Sequence, residues 1–420
     1  SKHVYGYATK IWWVDINGND SNTGKAETEA FKTIEQAVKT NSSLVSGDTI
    51  YVKPSITSTN STKYTGYYDF GNITSGISLN HSKDFVLKST AGADSTIFNA
   101  EGKNRHFFFD DGQTSATQII GFTFFNGEEE GSDQSSNWEG GGSVVISGSN
   151  INIKFENCIF DSNRVTGDNN GGAIVIRDQA VPEFTNCTFK NNFVTDTKSE
   201  KSGGAVNIQS PHSDDDLRNA INFKQCKFLG NYVKVKHAGY GGAVSTMRNT
   251  IFENCLFIKN GAISGYGASA NTYESSKGGA IYSAGGFGDG NGVITVVANS
   301  TFDSNYVDVR TNSGDPRAAD IFYGYGSSNQ SMQAYVFNTI ITGSYRLLGG
   351  VDYTENQENK LFYSEDEKNR ISVNYSAIEG SEDQSWADDN VFDINPVYSD
   401  ATNLDYSLSN LSPVIGQGTS

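Results

Sequence analysis

Residues 171–192 read GGAIVIRDQAVPEFTNCTFKNN, and both halves of that stretch recur along the chain. The first half, a Gly pair followed by alternating apolar residues, stands at 141–146 (GGSVVI), 171–176 (GGAIVI), 203–208 (GGAVNI), 241–246 (GGAVST) and 278–283 (GGAIYS). The second, F-x-N-C-x-F-x-x-N in its fullest form, occupies 155–163, 184–192, 223–231 and 252–260, with weaker copies at 119–127, 297–305 and 336–344. Successive copies lie 29 to 45 residues apart. A helical repeat array holds its period more tightly. A solenoid tolerates insertions at one corner, because loop-closure entropy grows slowly with length.

The pattern inside each half predicts strands. Val144, Ile174, Val206, Val244 and Ile281 form one apolar column, and Ile146, Ile176 and Ile208 form a second. The positions between them vary (Val145, Val175, Asn207, Ser245, Tyr282), as a strand buried on one side requires. Phe155/Phe184/Phe223/Phe252 and Phe160/Phe189/Phe228/Phe257/Phe302 should stack as two internal aromatic columns. The Gly pair permits a tight corner. Asn157, Asn186, Asn254 and Asn299 are expected to bond from coil to coil at one bend. Asn163, Asn192, Asn231, Asn260 and Asn305 are expected to close the next corner in the left-handed conformation. The fold class is therefore all-β, a single-domain right-handed parallel β-helix whose repeats pack only on their neighbours.

Composition agrees. There are 45 Gly, only 6 Pro, and 21 Tyr with 25 Phe, a profile that favours strands. The net charge of −17 excludes nucleic acid and an anionic membrane as partners, since both demand basic patches. No stretch approaches the ~18–20 apolar residues of a membrane span, so this segment is not expected to insert. The opening SKHVYGYATK has no basic and apolar leader, so an exported form would have lost its signal. Cys158, Cys187, Cys226 and Cys255 hold one repeat position, which favours a reduced internal ladder over one or two bridges.

Three regions follow. Residues 1–54 form an N-terminal cap, in which 29–39 (EAFKTIEQAVK) is a short amphipathic helix with Phe31, Ile34 and Val38 on its buried face. Residues 55–345 form the coils with their insertions, and 346–420 the degenerate final coils and tail.

The alternating GGA[IV] and FxxN motifs resemble the repeats of chlamydial polymorphic outer membrane proteins, whose passenger regions are β-helical adhesins. The opening WVDINGNDSNTG, AFKTIEQAV and GDTIYVKP, with the ending NPVYSDATNLDYSLSNLSPVIGQG, is similar to many secreted pectate-lyase-like β-helix proteins. The resemblance covers most of the chain and implies the fold and an extracellular or cell-surface location. An autotransporter barrel would need sequence beyond residue 420. The scaffold hosts lyases, hydrolases, tailspikes and adhesins alike, so activity must be argued from a site.

A polysaccharide lyase would need an outward Lys or Arg base with carboxylates near it. The outward column Glu156, Thr185, Lys224, Glu253, Ala298, Phe337 mixes signs without clustering, and Ile159, Thr188, Lys227, Leu256, Thr301, Ile340 holds one charge. Arg177-Asp178 reads as a solvated ion pair. Asp15, Asn17, Asn19 and Asp20 offer oxygens of the kind Ca²⁺ takes around a tight turn, and equally the composition of an ordinary Asn/Asp/Gly turn. No cofactor is required by this reading. Asp214-Asp215-Asp216 and Glu128-Glu129-Glu130 read as solvated insertion loops. The five His are dispersed. The N-x-S/T triplets follow from an Asn/Ser/Thr-rich composition, and Asn186 in particular should be buried.

Tyrosines carry the functional expectation. Tyr64, Tyr67 and Tyr68 lie in the first excursion, and Tyr240, Tyr266, Tyr273, Tyr282, Tyr323 and Tyr325 at or near the GGA corners. Exposed Tyr among Asn, Ser and Gly offers contact area at low entropic cost. Tyr240, Tyr266, Tyr273, Tyr282 and Tyr323 are thus the candidate ligand-binding residues of a secreted or surface-displayed adhesion or structural module. Its partner would be a glycan, a protein or a second copy. A polysaccharide lyase or glycosidase is the alternative, and a trimeric phage tailspike-type receptor-binding protein a third.

Overall fold

In the computed structural model the chain is described over residues 9–56, 67–72, 76–79, 81–131, 140–149, 151–196, 199–209, 217–284, 293–324, 333–354, 362–364, 370–382 and 390–417. A full coil lays one strand into each of four walls, and the coils at the two ends contribute to fewer. Among the described residues the first wall has eleven strands, from Ile11–Val14 to Arg370–Asn374, and the second has eleven, from Tyr68–Asp69 to Val391–Phe392. The third has eight, from Glu128–Gly131 to Val351–Asp352, and the fourth nine, from Ile77–Ser78 to Phe362–Ser364. All pairings in these walls are parallel except the last of the third wall, where Tyr345–Leu348 turns back on Val351–Asp352. This is a parallel β-helix.

The register follows the repeat. Phe155 pairs with Phe184, Phe184 with Phe223 and Phe223 with Phe252, one coil to the next. Their rings stack at 4.9 to 5.3 Å. The second column, Phe160 to Phe302, stacks at 4.5 to 4.9 Å. Rings of the two columns meet edge to face, as at Phe155–Phe160 (5.7 Å), the arrangement favoured by the ring quadrupole. Each fully buried Phe contributes about 2–3 kcal/mol of burial. The four cysteines are free and buried, and burial pushes the thiols of Cys158, Cys187 and Cys226 up.

The asparagines divide their work differently from the expectation. Asn163, Asn192, Asn231, Asn260 and Asn305 are fully buried and form the true ladder. Each side chain accepts from the preceding member and donates to the next, at 3.0 Å between Asn163 and Asn192, and also donates to a carbonyl of the coil below, such as Phe160. The ladder ends on Asp320, which Ser344 also caps. Left-handed backbone falls on the residue before it (Ser162, Asn191, Lys259, Ser304), because the ladder Asn must aim its amide inward. At the other bend Asn157, Asn186, Asn254 and Asn299 take the left-handed conformation and stand exposed, including Asn186. They form an outer series in which Asn186 donates to Asn157 at 2.6 Å.

Three further expectations change. The outward positions of the GGA strands are buried too: Val145, Val175, Asn207, Ser245 and Tyr282 are all at most 7% exposed. In the cap, Phe31 bridges Val14 instead of starting a helix, and the helical turns occupy only 34–40, ending in a π-turn at Gln36–Thr40. The cause is Asp20, which accepts from the amides of Lys32 and Thr33 while Thr33 Oγ1 accepts from Gln36, fixing the helix start there. Phe31, Ile34, Ala37 and Val38 still plug the first coil. Glu128–Gly131 is a strand, not a loop; Glu128 pairs with Arg164, and Glu129 with Arg105 at 2.7 Å.

Candidate functional site

Between the third and fourth walls the chain runs outward and returns. The return strands Lys201–Ser202, Ala238–Tyr240, Tyr273–Lys277 and Ser313–Arg317 form their own parallel sheet. It packs on the third wall: Ser276 Oγ donates to Ser264 Oγ at 2.9 Å, and Gly239 lies so close to the Ile263 backbone that a Cβ would meet it at 3.1 Å. The result is a two-layered flange along one corner of the solenoid. Its rim is made of the connecting turns, where insertions accumulate.

Three clefts follow this rim from coil to coil. The first, of about 440 Å³, is lined by Gly131, Thr166, Asp168, Thr195, Lys234 and Tyr266, among others. The second, about 430 Å³, is lined by Ser199, Glu200, His237, Ala238, Tyr273, Glu274 and Ser275. The third, about 410 Å³, takes Tyr273, Ser313, Leu348, Asp352, Tyr353 and Thr354 among its walls. Tyr273 belongs to both the second and the third, and at 65% exposure is the most exposed aromatic side chain among the described residues. Its phenol is held above the ordinary range by burial and by the Asp315 carboxylate. Tyr266, 43% exposed, lies over the Lys234 ammonium at 3.8 Å, a cation–π contact that holds the ring upright.

The polar groups of the rim are organised. Lys201, buried, sits 3.5 Å from both Asp168 and Asp196, and Ser199 Oγ lies 2.9 and 2.5 Å from the same two carboxylates, which share its one hydroxyl proton. Two coils on, Glu274 is 4% exposed; its Oε2 lies 3.3 Å from Nδ1 of His237 in the coil between, and its buried Oε1 has no hydrogen-bond partner. An unsatisfied buried acceptor costs about 1–3 kcal/mol.

The tyrosine expectations sort accordingly. Tyr266 and Tyr273 stand on the rim, and Tyr240 is half-buried with its hydroxyl 3.4 Å from Glu200. Tyr282 is a correction: it is sandwiched between Tyr240 (4.7 Å) and Phe322 (5.1 Å) and buried. Tyr323 is another, fully buried with its hydroxyl donating to the Val293 carbonyl at 3.1 Å. Neither ring can meet a ligand there. Tyr67 donates to Glu101, and Tyr68 is buried against Lys53; Tyr64, Tyr325 and Asp214-Asp215-Asp216 lie outside the described residues.

The proposed calcium oxygens have partners within the chain. Asp15 accepts from the Asn17 amide at 2.9 Å and pairs with Lys53 at 3.0 Å; Asn19 accepts from Ser21, and Asp20 caps the helical turns. These are the bonds of a turn. Among the described residues no group of three or more His, Cys, Asp or Glu is placed to hold a metal ion. On the first wall, Lys154, Glu183 and Lys224 form a half-exposed ion series at 3.9 Å, not a converging site.

A second aromatic set escaped the sequence reading. Phe193 stacks on Tyr232 at 5.1 Å and Tyr306 on Tyr345 at 5.3 Å, along the outer face of the third wall. Gly261 stands between the pairs, where a Cβ would lie 2.2 Å from the Tyr306 ring. The signal was legible, since each ring directly follows the corner residue (Asn192, Asn231, Asn305, Ser344). Paired face to face, these rings spend their faces on each other. Tyr273 does not.

Fold and rim together define a parallel β-helix protein with a clefted flange. No protein-family model matches the sequence, and neither does any curated protein. Among solved structures the chain is similar to a rhamnogalacturonan lyase, at 13% identity and TM-score 0.38, over 98% of this chain and 97% of the other. It is also similar to a lacto-N-biosidase from Eubacterium ramulus, at 9% identity and TM-score 0.29, over 87% and 68%. Likeness at this level carries no argument about activity.

Proposed function

We propose that this chain is a secreted or surface-displayed β-helix module that binds an extended glycan along the flange rim. One observation carries the reading: Tyr273 stands exposed between two adjoining clefts, each lined by hydroxyl and carboxylate groups. A ring wall between polar clefts suits pyranose units, whose apolar faces pack on aromatics while their hydroxyls find acceptors. Tyr266 extends the platform to the first cleft.

The test is a glycan microarray, followed by calorimetry of the best ligand on wild type, Tyr273→Ala and, as a surface control, Tyr335→Ala. Tyr273→Ala should weaken binding about tenfold, the equivalent of ~1.4 kcal/mol of ring contact. Its thermal midpoint should match wild type, and Tyr335→Ala should bind normally. An array without ligands, or full binding by Tyr273→Ala, overturns the reading. A glycosidase is the second reading, favoured by the carboxylates Asp168, Glu200 and Asp352 that line successive clefts. Release of reducing ends from the array ligand would establish it.

A further inference from the structure

The sequence holds five Asn–Gly pairs, beginning at 17, 126, 170, 260 and 291, and the first four fall in described residues. Such a pair can cyclise, because glycine leaves its own amide nitrogen open to the preceding side chain. Three of the four are held against it. Asn260 is fully buried, its side chain donating to Phe228 and Asn305 and accepting from Asn231, and the Gly261 amide donates to the Asn231 carbonyl at 2.9 Å. Asn170 Oδ1 accepts from the Ser202 amide at 2.8 Å, and the Gly171 amide donates to the Ser202 carbonyl at 3.1 Å. Asn126 Oδ1 accepts from Arg164 at 2.7 Å, and the Gly127 amide donates to the buried Asn163 Oδ1 at 2.8 Å. Asn17 differs. Its side chain is exposed and among the described residues has no hydrogen-bond partner; the Gly18 amide donates only to the Asp15 carbonyl, within a partly exposed turn. A Cβ on Gly18 would lie 2.5 Å from the Phe31 carbonyl oxygen, so the turn cannot exchange this glycine for a less reactive neighbour.

We infer that Asn17 is a modification site, at which the chain deamidates itself to aspartate and isoaspartate. The site lies on the N-terminal cap, apart from the flange. The Gly18 amide nitrogen, once it gives up its proton, attacks Asn17 Cγ; the new C–N bond closes a succinimide ring as ammonia leaves. Water then opens the ring at either carbonyl. A side-chain amide and a water are consumed, a carboxylate and an ammonium ion are formed, and no atom changes oxidation state. At Asn17 water replaces the one bond given up, whereas at Asn126, Asn170 and Asn260 cyclisation would leave buried or half-buried groups without partners. The product places a new negative charge two residues from Asp15. Its isoaspartyl form adds a backbone atom to the turn whose amides, Asp15 and Asn19, hold the Phe31 and Ala30 carbonyls and so seat the plug.

The test incubates the whole chain in mildly alkaline buffer made with heavy-oxygen water, natively and in guanidinium, and maps its peptides by mass spectrometry. In the unfolded chain all four pairs should take up label. In the native chain Asn17 should react within about threefold of its unfolded rate, while Asn126, Asn170 and Asn260 should each slow by about tenfold or more. A methyltransferase specific for isoaspartate should mark the native peptide that spans position 17, and should not mark it in Asn17→Gln, a surface change that leaves the cap's contacts in place. Asn17 slowed as strongly as the other three would overturn the inference. So would native labelling of any of those three as fast as Asn17, or methylation that survives Asn17→Gln.

Discussion

At the scale of single residues, two asparagines of one repeat do opposite work. Asn192 is fully buried and accepts from the backbone and side chain of Asn163, while donating to Phe160 and Asn231. Replacing it by Ala orphans several buried groups at once and should cost ~2–4 kcal/mol, measured by chemical denaturation. Asn186 is exposed, bonds only Asn157 through its side chain, and is chosen for its φ of 51°. Asn186→Ala should therefore cost only ~1 kcal/mol, because Ala lacks the short polar side chain by which Asn tolerates the left-handed region. Equal losses would contradict the division of roles. The cysteines make a parallel prediction: with the described thiols buried and three of them pushed up, Ellman's reagent should label none of the four in the native protein and all four in guanidinium. Rapid native labelling would mean the inner column is open.

Corner, strand and insertion differ in how much sequence alone can say. The GGA corner is the tightest point: a Cβ on Gly172 would lie 2.1 Å from the Gly204 carbonyl of the next coil and 2.7 Å from the Phe193 backbone. Gly172→Ala cannot be absorbed by a side chain moving, because backbone stands in the way on both sides. It should lower the thermal midpoint more than any substitution on the rim, and a midpoint within a degree or two of wild type would show that the corners are looser than described. These corners and the Phe columns were readable because stacking imposes the same demand on every coil, so it repeats in the letters. The direction of each Asn was not readable, since a ladder amide and a left-handed bend select the same residue type. The burial of Tyr282 and Tyr323 was hidden for a related reason: alternation says which side of a strand faces out, not what other structure covers it. Tyr266 and Tyr273 were found from their place in insertions, whereas Glu274 was missed because the return strands, though paired in register, repeat no motif in the letters.

Across the whole molecule, a solenoid turns chain length into a row of equivalent positions. Stacked coils set the turns of the flange one after another, so three clefts line up where a compact fold would offer one pocket. On the proposed reading that geometry would suit a polymer with its own repeat, with the uncharged or self-paired walls as support and the rim as the recognising edge. The most direct test is a crystal structure of the chain with an oligosaccharide bound. The account predicts sugar rings against both faces of Tyr273, with the oligosaccharide running along the rim across successive coils and Phe155, Phe184 and Phe223 in register beneath. An oligosaccharide lying on the first wall beside Lys154 and Glu183, with Tyr273 bare, would contradict it.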